Sequence, residues 1–389
     1  MASWSVAIAA SIRLAAAAPN GAPGADVVGG HDAPAGKWPD VAAIYVGDIP
    51  LCSGVLVAPT VVLTAAHCNT SGIRRVLVGA ETLAAGNQGE SIDVVGRFEY
   101  PEWDSSFDLL ALTLARPSVK PPRALASGWA GADVIDGAQV EVVGFGAINE
   151  DGNEYIDPLQ EATMSITDAA CVRADGCNPD IRPNGELGAG GMGTDSCSGD
   201  SGGPLYITGS LGTFVAGLTS RSYDGATKAC SQGGIYTRAD KVADWIEEQT
   251  GVPILRGPEP KIPRIEVAVG RGAKVQIDAN DPLSSSHRYK IFGAPVRSTA
   301  SVSADGELRV CGTGDGAGEG RVTVEITDRA DPARVILVSV PIAILDGTDD
   351  GSCELDEGGC GCRSGLGSGG ALPLALALLA LRRRRRRSR

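Results

Sequence analysis

Two short segments carry side chains that together could attack a carbonyl group. Ser201 lies in the run GDSGGP, and His67 lies in the run TAAHC. A serine hydroxyl attacks a carbonyl only if a positioned imidazole takes its proton. The chain has three histidines. His67 follows an apolar run, residues 55–66, that predicts a buried strand leading into a short turn, whereas His31 and His287 lie in polar, turn-like sequence. His67 is therefore the candidate base and Ser201 the candidate nucleophile.

A third group must fix the tautomer of the imidazole and stabilise its protonated form. Asp108 stands at the start of the apolar run DLLALTL, where a partly buried carboxylate is expected. The three groups then follow the chain order His67, Asp108, Ser201.

This order and its flanking residues resemble the trypsin/chymotrypsin family of peptidases, over about residues 27–251. Further family segments are VVGG at Val27–Gly30, CSGVLVAP around Cys52, and an amphipathic closing helix that begins at Arg238. The resemblance implies an all-β fold whose protease domain contains two barrels. It also implies hydrolysis of peptide bonds through an acyl-enzyme.

The resemblance assigns the groups around the nucleophile. The backbone N–H groups of Gly199 and Ser201 match the oxyanion hole of the family. Asp195, six residues before the nucleophile, matches the acid at the base of a trypsin-type pocket, and Gly234 matches a glycine of the pocket wall. A buried carboxylate favours the matching cation, so the expected substrates carry Arg or Lys. Ser220 matches the serine that supports the orienting aspartate.

Two residues of the pocket depart from the family pattern. Arg221 stands where the family usually has Trp, and Ser222 stands where trypsin-like enzymes have Gly. A serine at the entrance narrows the pocket modestly and need not block a long basic side chain.

Activation in the family uses a new α-amino group that pairs with the aspartate before the catalytic serine. Here those residues are Val27 and Asp200, so cleavage is expected between Asp26 and Val27. Trypsin-like precursors commonly carry a basic residue before that bond. An acid there predicts that a different protease activates the chain.

Ten cysteines indicate an oxidising compartment, and no CxxC pair or HExxH run suggests a metal, so neither metal nor cofactor is expected. The resemblance implies disulfides between Cys52 and Cys68 and between Cys197 and Cys230. Cys171 matches half of a third family bridge, but Gly188 occupies the place of the usual partner. Cys177 lies within reach of Cys171 and is the predicted alternative. Pairing of Cys311 with Cys353 stays open.

The charge of the chain argues against a nucleic-acid partner. The 389 residues carry a formal net charge of -13, and the basic residues include a cluster at the C-terminus, so the remainder is more acidic still. The expected partners are protein or peptide substrates and an activating protease.

The remaining segments divide into a leader, a linker and a second domain. Residues 1–26 predict a signal peptide and short pro-segment, and residues 252–263 predict a stiff, Pro-rich linker. Short apolar runs across residues 264–346 predict a smaller β-sandwich that resembles immunoglobulin-like or cadherin-like modules. Its acidic turns could bind calcium or simply form turns, and we favour turns; the residues concerned are Asp278, Asn280, Asp281, Asp328 and Asp331.

Residues 347–389 form a distinct tail. It contains Cys-Gly-Cys at 360–362, an apolar stretch at 366–381 that is short for a membrane span, and six arginines at 382–387. The combination resembles the C-terminal sorting signals of myxobacteria and their relatives. It predicts a secreted bacterial protein held at the cell surface or outer membrane, whereas a nucleic-acid-binding tail would explain neither the apolar stretch nor the cysteines.

Two other functions fit the sequence less well than an active protease does. A catalytically inactive homologue could serve in adhesion, but all three catalytic positions are occupied, which favours an active endopeptidase. An esterase of the α/β class would need the GxSxG spacing, which GDSGGP lacks.

Overall fold

The computed structural model describes residues 27–293, 295–314, 316–348 and 353–355. The predicted leader, residues 1–26, lies outside the described residues. So do the Cys-Gly-Cys motif, the apolar stretch and the arginine cluster of the predicted tail.

The region that precedes the linker contains the strands of two barrels. These strands are β1 (His31–Asp32), β2 (Val41–Val46), β3 (Ile49–Ala58), β4 (Val61–Thr64), β5 (Ile73–Val78), β6 (Glu90–Glu99), β7 (Leu110–Leu114), β8 (Gln139–Gly144), β9 (Gln160–Asp168), β10 (Glu186–Ala189), β11 (Pro204–Gly209), β12 (Gly212–Ser222) and β13 (Gly234–Thr237).

The first barrel closes in the order β2-β3-β4-β7-β6-β5. Its strands β2 and β4 are buried almost throughout, which explains their continuous apolar sequence. The run 55–66, expected to be one strand, is instead divided between β3 and β4 by a turn at Pro59 and Thr60. Proline has no N–H to donate to a ladder, so the run folds back at this point.

The second barrel has the strand order β9-β10-β13-β12-β11-β8, and pairing of β8 with β9 closes it. The short strand β1 adds to its edge through β9. An all-β domain of two six-stranded barrels is therefore present, as the sequence predicts.

Short helices complete this region. The α-helices are α1 (Gly128–Gly131) and α2 (Ala243–Thr250), and 3-10 helices span Ala66–Cys68, Pro179–Ile181 and Ala239–Val242. The predicted closing helix thus begins as a 3-10 turn and ends before Gly251, with Ala243 and Ile246 buried. Within the described residues, no helix is long and apolar enough to cross a membrane.

The C-terminal region forms two four-stranded sheets. Their strands are β14 (Ile265–Ala268), β15 (Arg271–Gln276), β16 (His287–Ile291), β17 (Ser298–Val302), β18 (Glu307–Gly312), β19 (Gly318–Asp328), β20 (Val335–Leu345) and β21 (Glu354–Leu355). One sheet has the order β14-β20-β19-β16 and the other β17-β18-β15-β21. Apolar residues of both sheets share one core.

The sequence did not predict two strands of this region, β16 and the short β21, which lies within the predicted tail. The residues of β16, HRYKI, alternate between partly buried and exposed positions and contain no apolar run. His287, expected in a turn, lies at the start of this strand with a side chain only 6% exposed. His287 is buried because β16 pairs with β19, which itself pairs with β20 over ten residues.

The predicted linker is bound to its neighbours along its length rather than spanning open solvent. Leu255 N donates to Val57 O at 3.1 Å, and Gly257 N donates to Leu125 O at 3.0 Å. Lys261 N then donates to Asp278 O at 2.8 Å in the C-terminal region. These bonds fix the two regions relative to each other.

Trp129 of α1 joins the two regions. Its side chain is fully buried in the core of the C-terminal sheets, and its Nε1 donates to Ala279 O at 2.7 Å. The guanidinium of Arg334 lies 5.1 Å from the centre of the indole ring. Burial of a tryptophan this completely makes it a principal anchor of the interface.

We predict that Trp129→Ala lowers the free energy of unfolding by about 3–5 kcal/mol, because it leaves a large cavity between the two regions. Trp129→Phe should retain part of the packing but leave the Ala279 carbonyl without a hydrogen-bond donor, at a cost of about 1–3 kcal/mol. Urea unfolding of the purified chain measures both. Val119→Ala, at a site 84% exposed, is the control and should change stability by no more than about 0.5 kcal/mol. Equal stability of Trp129→Ala and the control would contradict the role of Trp129.

Candidate active site

The 3-10 turn Ala66–Cys68 presents His67 at the end of β4. Ala66 and Cys68 on either side are buried, and the disulfide between Cys68 and Cys52 ties the turn to β3. The side chain of His67 is 33% exposed. The local sequence thus fixes the backbone while the imidazole faces a cleft of about 770 Å³.

Asp108 lies beneath the imidazole, immediately before β7. His67 Nδ1 is 2.7 Å from Asp108 Oδ2, and His67 N donates to Oδ1 at 3.0 Å. Ser220 Oγ also donates to Oδ2, at 2.7 Å. Burial favours the neutral acid, but the hydrogen bonds and charge of His67 and the hydrogen bond of Ser220 hold the pKa of Asp108 below its ordinary value.

An ionised Asp108 determines the tautomer of His67. The carboxylate can only accept, so Nδ1 must carry a proton. Nε2 of the neutral ring is then left as an acceptor. This is the arrangement that a general base requires.

The turn that carries Ser201 packs against the segment before His67. A Cβ at Gly202 would lie 2.1 Å from Thr64 Oγ1 and 2.4 Å from Ala65 N, so only glycine permits this approach. Ser53 N donates to Ser201 O at 3.0 Å. The structure therefore brings together two sequence segments that belong to different barrels.

Gly199 has the conformation expected next to a nucleophile. Its φ is +98°, a region that favours glycine, and a Cβ there would lie 3.0 Å from Gly146 Cα. Ser53 Oγ holds the Gly199 carbonyl at 3.0 Å. Among the described residues, the N–H groups of Gly199 and Ser201 donate to no other protein group, so both are available to an oxyanion.

Asp195, six residues before Ser201 in the sequence, is buried and only 1% exposed. Its Oδ2 accepts from Gly233 N at 2.8 Å, whereas its buried Oδ1 has no partner among the described residues. Burial raises the pKa of Asp195 to about 6, against the effect of four nearby backbone N–H groups. A Cβ on Gly234 would lie 3.6 Å from the free Oδ1, so this glycine leaves space above the carboxylate.

The two departures from the family pattern are both exposed residues at the end of β12. Ser222 Oγ donates to Ala229 O at 3.1 Å, which directs its hydroxyl toward the backbone. Arg221 lines the cleft beside His67 and pairs with Glu186 at 2.7 Å.

Val27 and Asp200 are both fully buried. Asp200 Oδ1 accepts from Gly146 N at 2.8 Å and Oδ2 accepts from Cys197 N at 2.9 Å. Burial raises the pKa of Asp200 to about 7 in the uncleaved chain. Among the described residues no cationic side chain pairs with it. Val28 O, next to Val27, accepts from Asp195 N at 3.1 Å.

Three functional residues were not assigned a role from the sequence. Ser53 supports the Ser201 turn and follows Cys52 in a segment that the resemblance includes, so its position could have suggested this role. Arg221 was seen only as a departure. Glu186 has no sequence signal, because its partner is distant along the chain.

The structure contains the three disulfides expected around the site, and a fourth whose pairing the sequence left open. They are Cys52–Cys68, Cys171–Cys177, Cys197–Cys230 and Cys311–Cys353.

The acidic residues considered for calcium are engaged in other interactions. Asp281 and Asp328 both pair with Arg334, at 3.1 Å. Asp278 Oδ1 accepts from Asn280 N, and Asp331 Oδ1 accepts from Ala333 N, which are turn-forming bonds. This geometry favours the turn interpretation.

Comparison with known proteins places this site in a family. The family model Trypsin matches residues 27–246. Trypsin of Phaedon cochleariae is 33% identical over 59% of this chain and 90% of its own length. Trypsin of Saccharopolyspora erythraea is 33% identical over 57% of this chain and 97% of its own length. Mouse serine protease 56 is 36% identical over 57% of this chain, but the match covers only 38% of that protein.

We predict that the uncleaved chain loses stability as pH rises from about 4 to 7. A proton binds Asp200 more tightly in the folded chain, with a pKa of about 7, than in the unfolded chain, near 3.8. The stabilisation is therefore complete below about pH 4 and is lost as pH passes 7, by about 4 kcal/mol. Asp195 acts in the same direction, whereas Asp108 and Asp240, whose pKa values are lowered, titrate below this window.

Urea unfolding across this pH range, in a Ser201→Ala background that prevents self-cleavage, measures the effect. Asp200→Asn should remove most of the pH dependence, and adding Asp195→Asn should remove most of the remainder. Asp48→Asn, at an exposed position, is the control and should retain it. An unchanged slope in Asp200→Asn would show that Asp200 is already ionised in the uncleaved chain.

Proposed function

Since this chain belongs to the trypsin family of serine endopeptidases, we propose that it cleaves proteins after arginine or lysine. In this proposal Ser201 is the nucleophile, His67 the base and Asp108 its orienting carboxylate. The observation that carries the proposal is the 2.7 Å bond between His67 and Asp108, which both line one cleft, together with the packing of the Ser201 turn against the segment before His67. The chain spans only about two fifths of the length of mouse and human serine protease 56. The proposal therefore rests on the family membership of the protease region.

The proposed reaction has two stages. Ser201 Oγ attacks the scissile carbonyl while His67 Nε2 takes its proton, and the same proton then passes to the leaving amine. A new ester between Ser201 and the acyl group remains. Water, deprotonated by His67, hydrolyses this ester and restores the serine.

The oxyanion that forms at each stage needs donors that are already in place. The N–H groups of Gly199 and Ser201 are proposed for this role, and removal of one such donor typically raises the barrier by about 3 kcal/mol. Ser53 supports them indirectly, because it holds both the Gly199 and the Ser201 carbonyls.

Specificity for basic residues rests on Asp195. One of its oxygens is buried without a partner in the described part of the chain, an arrangement that is costly for an ionised carboxylate. A lysine or arginine side chain that enters the pocket beside Gly234 would supply the missing cation. An uncharged side chain would leave the carboxylate unpaired and is therefore disfavoured.

Activation is proposed to supply a cation to Asp200, as a basic substrate side chain would supply one to Asp195. Cleavage before Val27 would create an ammonium group next to the buried Asp200 carboxylate and ionise it. Among the described residues Asp200 has backbone donors but no cationic partner, and burial raises its pKa to about 7, which supports this proposal. Asp26 precedes the bond and lies outside the described residues, and an enzyme with Asp195 in its pocket should not cleave after an acid.

The location of the protein is also a proposal. The four disulfides support an oxidising compartment. With the leader and tail motifs of the sequence, they support a secreted protein at the bacterial cell surface or outer membrane. The two C-terminal sheets would then be an immunoglobulin-like or cadherin-like sandwich that accompanies the protease. The alternative function, an inactive homologue that serves in adhesion, is disfavoured by the intact His67–Asp108 pair.

The central test is cleavage of chromogenic peptides by protein that begins at Val27. We predict turnover with Arg and Lys before the scissile bond and little with Phe or Ala. Asp195→Asn should lower kcat/KM for Arg and Lys by at least about a hundredfold, as expected for loss of a buried ion pair. Ser201→Ala should lower turnover by several orders of magnitude without loss of fold. Preference for aromatic or small residues would refute the pocket assignment, and an active Ser201→Ala variant would refute the nucleophile.

A second test concerns activation. We predict that the pure precursor does not activate itself, whereas Asp26→Arg allows trypsin-like enzymes to activate it. N-terminal sequencing of active protein should give Val27 as the first residue. Asp26→Asn removes the charge without adding a basic residue, and it is the matched control that should remain inactive. Spontaneous maturation of the unaltered precursor would contradict the need for a second protease.

A further inference from the structure

Arg221 makes three hydrogen bonds that tie the cleft to the catalytic groups. Its Nη1 donates to Glu186 Oε1 at 2.7 Å and to Ser220 Oγ at 3.1 Å. Its Nη2 donates to Gly176 O at 2.7 Å. The side chain is 37% exposed, and its guanidinium is nevertheless fixed by groups from three separate segments.

Glu186 is the buried partner in this arrangement. Its side chain is 1% exposed, and it stands at the first position of β10. Oε2 accepts from Asn178 N at 2.8 Å, while Oε1 accepts from Arg221. A buried carboxylate is costly without a cation, so Glu186 holds the guanidinium firmly in this position.

We propose that Arg221 is a positioning residue, which fixes the Ser220 hydroxyl toward Asp108 and through it the orientation of His67. The inference rests on the proposed function, because it concerns the efficiency of the same catalytic groups. The chain of bonds runs from Glu186 to Arg221, from Arg221 to Ser220, and from Ser220 to Asp108.

The number of donors explains why the bond to Ser220 matters. A serine hydroxyl has one proton and can rotate to donate it in more than one direction. Arg221 Nη1 can only donate, so it occupies a lone pair of Ser220 Oγ. The hydroxyl proton then points to Asp108 Oδ2, at 2.7 Å. Loss of the guanidinium frees the hydroxyl to rotate and weakens one of the bonds that hold Asp108.

The charge of Arg221 adds an electrostatic effect. The cleft beside His67 is also lined by the acids Asp104, Asp180 and Asp224, and Glu186 lies behind it. Arg221 is the basic side chain that accompanies His67 in the described lining of this cleft. Its loss would remove a positive charge from this acidic lining and leave the buried Glu186 carboxylate without its cation, which should loosen the side chains around Ser220.

The test compares Arg221→Gln and Arg221→Lys, each in the mature enzyme that begins at Val27. Arg221→Gln should lower kcat about tenfold, as expected for loss of one bond to a charged network, with a smaller change in KM. Arg221→Lys keeps the charge but not the planar fork, so it should restore kcat only in part.

A double-mutant cycle separates positioning from a role in cleft shape. In a Ser220→Ala background, Arg221→Gln should change kcat by less than about twofold, since the hydroxyl through which it acts is absent. Arg173→Gln is the matched control, because Arg173 also bonds a carboxylate, Asp136, and a backbone carbonyl, Thr167 O, without contact to Ser220. It should leave kcat unchanged.

The outcomes distinguish this inference from the proposed function. Equal loss of kcat from Arg221→Gln with and without Ser220, or a loss confined to KM, would overturn the positioning role. If the unaltered mature enzyme cleaves no Arg or Lys peptide, the proposed function fails and this inference fails with it.

Discussion

Burial of negative charge where the two barrels meet is the constraint on which the site depends. Asp108, Asp195 and Asp200 are each at most 5% exposed, and an ionised carboxylate in such a place requires compensation. The protein compensates them to different degrees. His67 and Ser220 satisfy Asp108, whose pKa is lowered, whereas Asp195 and Asp200 have only backbone donors among the described residues, and their pKa values are raised. In the proposed function, the fully satisfied carboxylate orients a base and the other two receive a cation.

The rest of the structure keeps these carboxylates in place. Ser53 from the first barrel holds the carbonyls of Gly199 and Ser201 in the second, and Gly202 permits the close approach of the two segments. Disulfides restrain the turns on both sides of the nucleophile. The C-terminal sheets are joined to the barrels through Trp129 and the bound linker. The second domain is therefore a packed extension of the protease region, and its removal would expose a large aromatic side chain.

The family resemblance carried by the sequence implied the barrels, the catalytic candidates and two of the disulfides around the site, and the reach of a disulfide predicted the third, Cys171–Cys177. The sequence could carry this resemblance because GDSGGP and TAAHC must adopt particular backbone conformations to present a serine and a histidine, so these short segments carry their own structural signal. The apolar runs likewise predicted most strands of the C-terminal sheets, since alternation and turns are local properties. Strand β16 was missed because its residues HRYKI carry no such pattern, and the turn at Pro59 divided a run that periodicity alone joined.

Only the tertiary structure decided which distant residues meet. Glu186 and Arg221 are 35 positions apart, and Trp129 and Ala279 are 150 apart. Such contacts depend on how strands and loops pack, which no local pattern encodes. The same holds for the carboxylates: the sequence names Asp108, Asp195 and Asp200, but their burial and hydrogen-bond partners give them different pKa values. The sequence therefore determined which side chains are present, whereas the fold set the protonation and orientation of each one.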